Sequence, residues 1–231
     1  MAARHTTFTL TLRPTAEQEV MLNRHCGAAR FAYNCGLRMV RDGLAAKQAG
    51  TVAEGEKVPW TGFDLINAFN RWKHTEAAGV AHGKPGLPWQ GEVCAQVFEE
   101  SLVDLGRALD GFAKSKRGER GGRRIRFPVF KKKGRCRDSF RMRNKTSRNK
   151  KPIRLGDDGP RSLTLPKLGC LKVLQCTRRI RRMQSKGRCL IRFATVFASR
   201  GRWHVRLNCE ASARIAPEAP TVAEPVGIDR G

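Results

Sequence analysis

The sequence predicts an α+β fold, a β-barrel with a helical unit inserted into it, and three observations carry that prediction. Apolar residues recur at helical spacing from position 14 to about 117, and beyond Gly122 the period changes to two. The later segments are short and divided by Gly, Pro and Asp turns, the pattern of a barrel or sandwich. A lone strand-like segment also precedes the helices and needs partners from the later strands.

That first segment, Thr6 to Leu12, sets Phe8, Leu10 and Leu12 on one face and threonines on the other. Pro14 ends it. Thr15-Ala-Glu-Gln18 has the spacing of a capping box, in which hydroxyl and amide side chains satisfy orphan helix N–H groups, with Glu17 well placed in the first turn. A helix is expected from there to Gly50, with Gly27 dividing it into two. Phe63 to Trp72 reads as a short amphipathic helix with Leu65, Phe69 and Trp72 inward. Glu92 to Ser115 reads as a long one, on Val97, Ser101, Leu105, Ala108 and Phe112. Strands are expected at Ile125–Phe127, Ser139–Arg143, Leu163–Leu165, Leu171–Leu174, Cys189–Phe197 and Trp203–Cys209. Residues 211–225, with three prolines, read as a linker before Val226-Gly-Ile-Asp-Arg-Gly231.

Charge narrows the partner. The 231 residues carry 46 Lys and Arg against 20 Asp and Glu, a net +26, and such a chain repels itself unless a polyanion compensates it. No run of 18 apolar residues and no lipidation signal points to a membrane. Nucleic acid is the expected partner. An N-terminus without the apolar core of a secretory signal sets the expected location in the cytoplasm, on the nucleoid. Eight cysteines lack any Cys-x-x-Cys or Cys-x-x-His pairing, so no zinc site is expected. Cys189 and Cys209 fit better as small core residues.

The surplus is concentrated. From Lys114 to Arg154 there are 19 Lys and Arg against only Glu119 and Asp138. Within it, Phe127, Phe130, Phe140 and Met142 alternate with Arg126, Lys131, Lys132, Lys133, Arg141 and Arg143, and Arg135 and Lys145 lie in the same run. On a strand, that alternation puts the cations on one face, suited to a phosphate backbone. A second cluster without acids, Arg178, Arg179, Arg181 and Arg182, is expected at a turn before a strand, where guanidinium groups suit phosphates and exposed bases of RNA. In the first helix Arg30, Tyr33, Asn34 and Arg38 share one side, and Asn and Arg side chains are able to read base edges. Asp229, flanked by apolar residues and glycine, has the setting of a metal-binding carboxylate.

Leu12-Arg-Pro-Thr-Ala-Glu-Gln18 with Leu22, Gly27, Arg30-Phe31, Tyr33-Asn34 and Leu37 resembles the N-terminal helix-turn-helix segment of the TnpB/OrfB family of transposon-encoded RNA-guided nucleases. Pro128 to Gly134 followed by Asp138-Ser-Phe-Arg141 resembles its basic motif, and Val226 to Gly231 resembles the opening of its RuvC-like nuclease domain. The resemblance implies a wedge-like barrel formed by residues 1–13 and 121–215 and a helical recognition domain over 14–120. A linker over 216–225 and the first strand of an RNase H-like domain over 226–231 follow. It implies guide RNA and duplex DNA as partners and Asp229 as a Mg²⁺ ligand and catalytic carboxylate in a Mg²⁺-dependent endonuclease. Because the chain stops two residues after Asp229, it is expected to bind nucleic acid without cutting it and to hold no metal itself. Two other readings fit the same residues: a helix-turn-helix DNA-binding accessory of a transposase, and an RNA-binding or chaperone module.

Overall fold

The computed structural model describes residues 4–51, 57–81, 83–145 and 151–211. A strand β1 (Arg4–Arg13) is followed by helices α1 (Ala16–Gln48) and α2 (Gly62–Trp72), a 3-10 turn at Glu76–Ala78, and a small hairpin of β2 (Val80–Ala81) and β3 (Lys84–Pro85). Helix α3 (Ala95–Lys116) leads to β4 (Ser139–Arg143), β5 (Arg154–Leu155), β6 (Ser162–Leu165) and β7 (Gly169–Val173). Helix α4 (Arg178–Ser185) precedes the long strands β8 (Cys189–Ser199) and β9 (Arg202–Ala211). The chain is thus mixed helix and sheet.

The expected closed barrel is instead an open antiparallel sheet in the order β4-β8-β9-β1-β7-β6-β5, with β4 and β5 at its edges. Closure requires a continuous ladder between the first and last strands, and β5 has only two residues, both already paired with β6. The edges are joined by a side chain. Asn144, just past β4, donates from its N–H to Arg192 O at 2.7 Å and from Nδ2 to Ile191 O at 3.1 Å, while its Oδ1 accepts the Ile153 N–H at 2.9 Å. The lone first strand joins the middle of the sheet, between β9 (Leu10 opposite Val205) and β7 (Leu12 opposite Val173). Its inward residues Leu10 and Leu12 meet Val205, Leu207, Leu171 and Val173 in the core. Cys189 and Cys209 are buried free thiols, and burial pushes both upward from the usual thiol range, Cys209 the further.

Helix α1 begins at the expected capping box, with Gln18 N–H donating to Thr15 Oγ1 and Thr15 N–H to Gln18 Oε1. It then runs unbroken for 33 residues, straight through Gly27. A helix-interior glycine costs only about 1 kcal/mol relative to Ala, less than the burial of Leu22, Leu37 and Val40 on either side returns. Helix α2 starts at a second capping box, Thr61 with Asp64, which the chain shows as Thr-x-x-Asp. Glycine has a packing role farther on. A Cβ on Gly36 would lie 2.6 Å from Leu102 and 3.1 Å from Leu105, so its absence lets α1 and α3 approach. A Cβ on Gly106 would lie 2.4 Å from the Gly62 backbone nitrogen, so α3 meets the start of α2 backbone to backbone.

Two buried polar groups tie the helices together and to the sheet. His25 is fully buried on α1 with Nδ1 2.7 Å from Met21 O, while its Nε2 accepts the Cys94 N–H at 3.2 Å. This partner satisfies an amide at the start of α3, where Cys94 supplies no side-chain cap. The imidazole also packs against Phe140 of β4, ring centres 5.2 Å apart. Burial lowers its pKa from 6.5, with the Met21 carbonyl opposing in part. Glu100 of α3, 5 % exposed, accepts from Arg141 Nε at 2.6 Å and pairs with Arg143 Nε, and Asp104 takes another nitrogen of Arg141.

Candidate nucleic-acid interface

Strand β4 alternates as expected, with Phe140 and Met142 buried, but its cations do not face solvent together. Arg141 is engaged by Glu100 and Asp104, and Arg143 reaches Glu100 and, at 3.7 Å, Glu99. The acids of α3 thus engage both cations of this strand, with Arg143 still exposed. The expected strand Ile125–Phe127 is irregular backbone, anchored where the Ile125 N–H donates to Ser115 Oγ at 3.0 Å and where Phe127 meets Phe112 edge to face.

On α1, Arg30, Tyr33 and Asn34 are likewise engaged within the fold, while Arg38 is exposed. Arg30 pairs with Asp138. Asn34 holds the backbone of Lys131 by a reciprocal pair of hydrogen bonds, and Lys131 Nζ lies 3.8 Å from the Tyr33 ring centre. Burial lowers the pKa of Lys131 and raises that of Tyr33. These contacts fasten the segment 126–135 along α1, and the cations that remain outward, Arg126, Lys132, Lys133 and Arg135, are exposed and form no ion pair with an acid among the described residues. Lys145, beyond β4, is exposed as well.

Docking of that segment creates a feature no local pattern announces. A groove of about 630 Å³ runs between α1, the end of α2 and residues 130–132, walled by Phe31, Trp72 and Phe130 and edged by Asn34, Arg38, Asp42 and Lys132. Arg41 lies over the Phe130 ring at 4.7 Å. Cys35 on the same wall is pushed up to about 11 by burial, despite Arg38 beside it, so it stays a neutral thiol. Aromatic walls with more cations than acids on the rim accommodate a flat, anion-bearing group such as an unpaired nucleotide. Trp72 and Phe130 are 58 positions apart, so only the tertiary fold brings them together.

The second arginine cluster is a helix rather than a turn. Alpha-helix α4 places Ile180 in the core while Arg178, Arg179, Arg181 and Arg182 are exposed, and none forms an ion pair with an acid among the described residues. Arg181 lies across Gly156, where a Cβ would come 2.4 Å from its Nε. Asp229 lies outside the described residues. Among the described residues no group of three or more His, Cys, Asp or Glu comes together to hold a metal ion. None of their helices is long and apolar enough to cross a membrane.

Residues 1–48 match the OrfB/IS605 helix-turn-helix domain family. Over 97 % of its length the chain is 28 % identical to a "Putative RNA-guided DNA endonuclease" of Mycobacterium tuberculosis, and over 97 % it is 27 % identical to the "Putative RNA-guided DNA endonuclease InsQ" of Escherichia coli. The chain is similar to both proteins along nearly all of its length. It spans about half the length of these two proteins, 46 % and 44 % respectively. In this chain the described part of the matched segment is β1 followed by one uninterrupted helix, so the segment contains no turn between Ala16 and Gln48.

Proposed function

We propose that the chain is the nucleic-acid-binding portion of a transposon-associated, TnpB-like RNA-guided DNA endonuclease, holding a guide RNA together with the duplex DNA beside the target. The observation that carries this reading is the exposed, acid-free arginine face of α4, supported by the outward cations of 126–135 and the aromatic groove beside them. In such proteins base pairing reads the target while the polypeptide reads backbone shape and a short adjacent motif, which calls for many phosphate contacts and few base-reading side chains. In this reading β1 and residues 121–215 form the wedge-like domain, as an open sheet, and 14–120 form the recognition domain. Arg30, Tyr33, Asn34, Lys131, Arg141 and Arg143 position the surface. Arg126, Lys132, Lys133, Arg135, Lys145, Arg178, Arg179, Arg181 and Arg182 contact nucleic acid.

The rival helix-turn-helix reading needs a second helix, set across a turn, to enter the major groove. The unbroken α1 offers no such pair within residues 16–48. Affinity purification of the chain from its own host, followed by sequencing of bound nucleic acid, tests the proposal. A discrete RNA transcribed from beside the gene is expected. Recovery of duplex transposon ends without RNA, or of RNA with no enrichment for that locus, would overturn it.

A further inference from the structure

The outer face of the sheet carries a second feature, in which Arg137 of the basic stretch meets residues of β8 and β9. On β8 and β9, Phe193, Thr195 and Phe197 stand opposite Asn208, Arg206 and His204, and β1 continues the rows with Thr7, Thr9 and Thr11. Phe197 and His204 are stacked, ring centres 5.4 Å apart and 26° from parallel. Two guanidinium groups lie against the same Phe197 ring, Arg137 at 3.8 Å and Arg206 at 4.8 Å from its centre. Both arginines are exposed, and neither forms an ion pair with an acid among the described residues. The ring itself is 5 % exposed, covered by its neighbours.

We propose that this face, centred on Arg137, Arg206 and Phe197, is a binding site for an unpaired stretch of nucleic acid, separate from α4 and from the groove beside α1. Two like charges held against one ring, without a carboxylate between them, attract an anion, and a phosphodiester is the anion a chain of net +26 meets. The aromatic contact also fixes the guanidinium groups in place. A guanidinium group so fixed is a stacking platform, because its plane accepts a base on the side away from the ring. Only an unpaired base reaches such a platform; in a duplex the faces are already stacked. His204, with Nδ1 3.3 Å from Thr11 Oγ1, and Asn208 add hydrogen-bonding groups in the adjacent rows. The proposal deepens the nucleic-acid reading above and rests on it.

Fluorescence anisotropy with a labelled 12-nucleotide oligo-U, the same oligomer as a duplex, and an abasic strand of equal charge tests it. The double variant R137A/R206A is expected to lose about tenfold affinity for oligo-U and to flatten the salt slope by roughly 1.4, from about 0.7 per lost contact on a single strand. Duplex binding should stay within about twofold, since α4 remains. R137K/R206K should keep the salt slope yet lose affinity for oligo-U relative to the abasic strand, because Lys carries the charge without the plane. An unchanged melting temperature of both variants establishes that the fold is intact. Unaltered oligo-U binding by R137A/R206A, or equal losses for single strand and duplex, would overturn this site while leaving the broader reading standing. Failure of the unmodified chain to bind any of the three ligands would overturn both.

Discussion

Asn34 and Lys131 exchange two hydrogen bonds, Lys131 N–H to Asn34 Oδ1 at 2.8 Å and Asn34 Nδ2 to Lys131 O at 2.9 Å. An amide side chain thus plays the part of a paired strand for a segment that has no strand partner of its own. Asn34→Ala leaves a half-buried backbone donor and acceptor without partners, at about 1–3 kcal/mol. Urea denaturation should register that loss. Limited proteolysis should show faster cleavage near 126–135, and nucleic-acid affinity should fall without any change in sequence preference. A change in preference instead would make Asn34 a base reader.

His25 predicts an acid-sensitive fold. Its pKa is lowered by burial, so the unfolded chain binds the proton first and stability falls as pH drops below about 6.5, levelling only beneath the lowered folded value. Above about pH 7 the residue contributes no pH dependence, because it is neutral in both states. Denaturation midpoints from pH 8 to pH 5 should show this slope. His25→Phe should flatten it while lowering stability at pH 8 by about 1–3 kcal/mol, for the Cys94 N–H left unpaired.

Glu100 holds two arginines on a buried carboxylate. Glu100→Ala leaves Arg141, whose side chain is 16 % exposed, with Asp104 as its remaining partner, and should cost about 1–3 kcal/mol in chemical denaturation. Glu119→Ala removes an exposed partner of Arg117 and should leave the midpoint unchanged, since exposed pairs contribute little.

Glycines on the two long helices should respond in opposite directions. A Cβ on Gly27 meets nothing within 4 Å, so Gly27→Ala should stabilise by about 1 kcal/mol. Gly106→Ala drives a methyl into the Gly62 backbone, which has no rotamer to yield, and should destabilise by about 1–3 kcal/mol or more. Thermal melts of the two variants side by side distinguish these effects.

Replacing Arg178, Arg179, Arg181 and Arg182 together by Gln should leave α4 folded, because Ile180 holds it to the core, and should lower duplex affinity and flatten the salt slope by about 3.6, near 0.9 per contact. A filter-binding series from 50 to 300 mM salt measures it. An unchanged slope would remove α4 from the interface.

Periodicity made the strands and helices legible because each is a local property: Leu10 and Leu12 on β1, the Thr15 capping box, Val97 to Leu105 on α3. Gly27 misled because a propensity of about 1 kcal/mol is smaller than the burial on either side of it. The short pieces β2, β3, β5 and α4 carry too few residues to show a period. Charge was legible as a total but not as a placement. The sequence alone does not say that Arg141 meets Glu100, 41 residues away, or that Arg137 and Arg206 share Phe197. On β4 the interleaved cations Arg141 and Arg143 sit beside the core and meet the acids of α3, whereas Arg126, between Ile125 and Phe127, is exposed.

The continuity of α1 turns the helix into a lever. At 1.5 Å per residue its 33 residues extend about 50 Å. One end is seated on the sheet, where Trp203 Nε1 donates to Glu19 Oε1 at 3.4 Å, and the groove lies farther along, at Phe31 to Met39. A hinge at Gly27 would have absorbed any rotation of the sheet; a stiff rod carries it onward, so a tilt of about 10° at the seated end displaces the far end by roughly 9 Å. Whatever the sheet grips is thereby mechanically coupled to the aromatic wall.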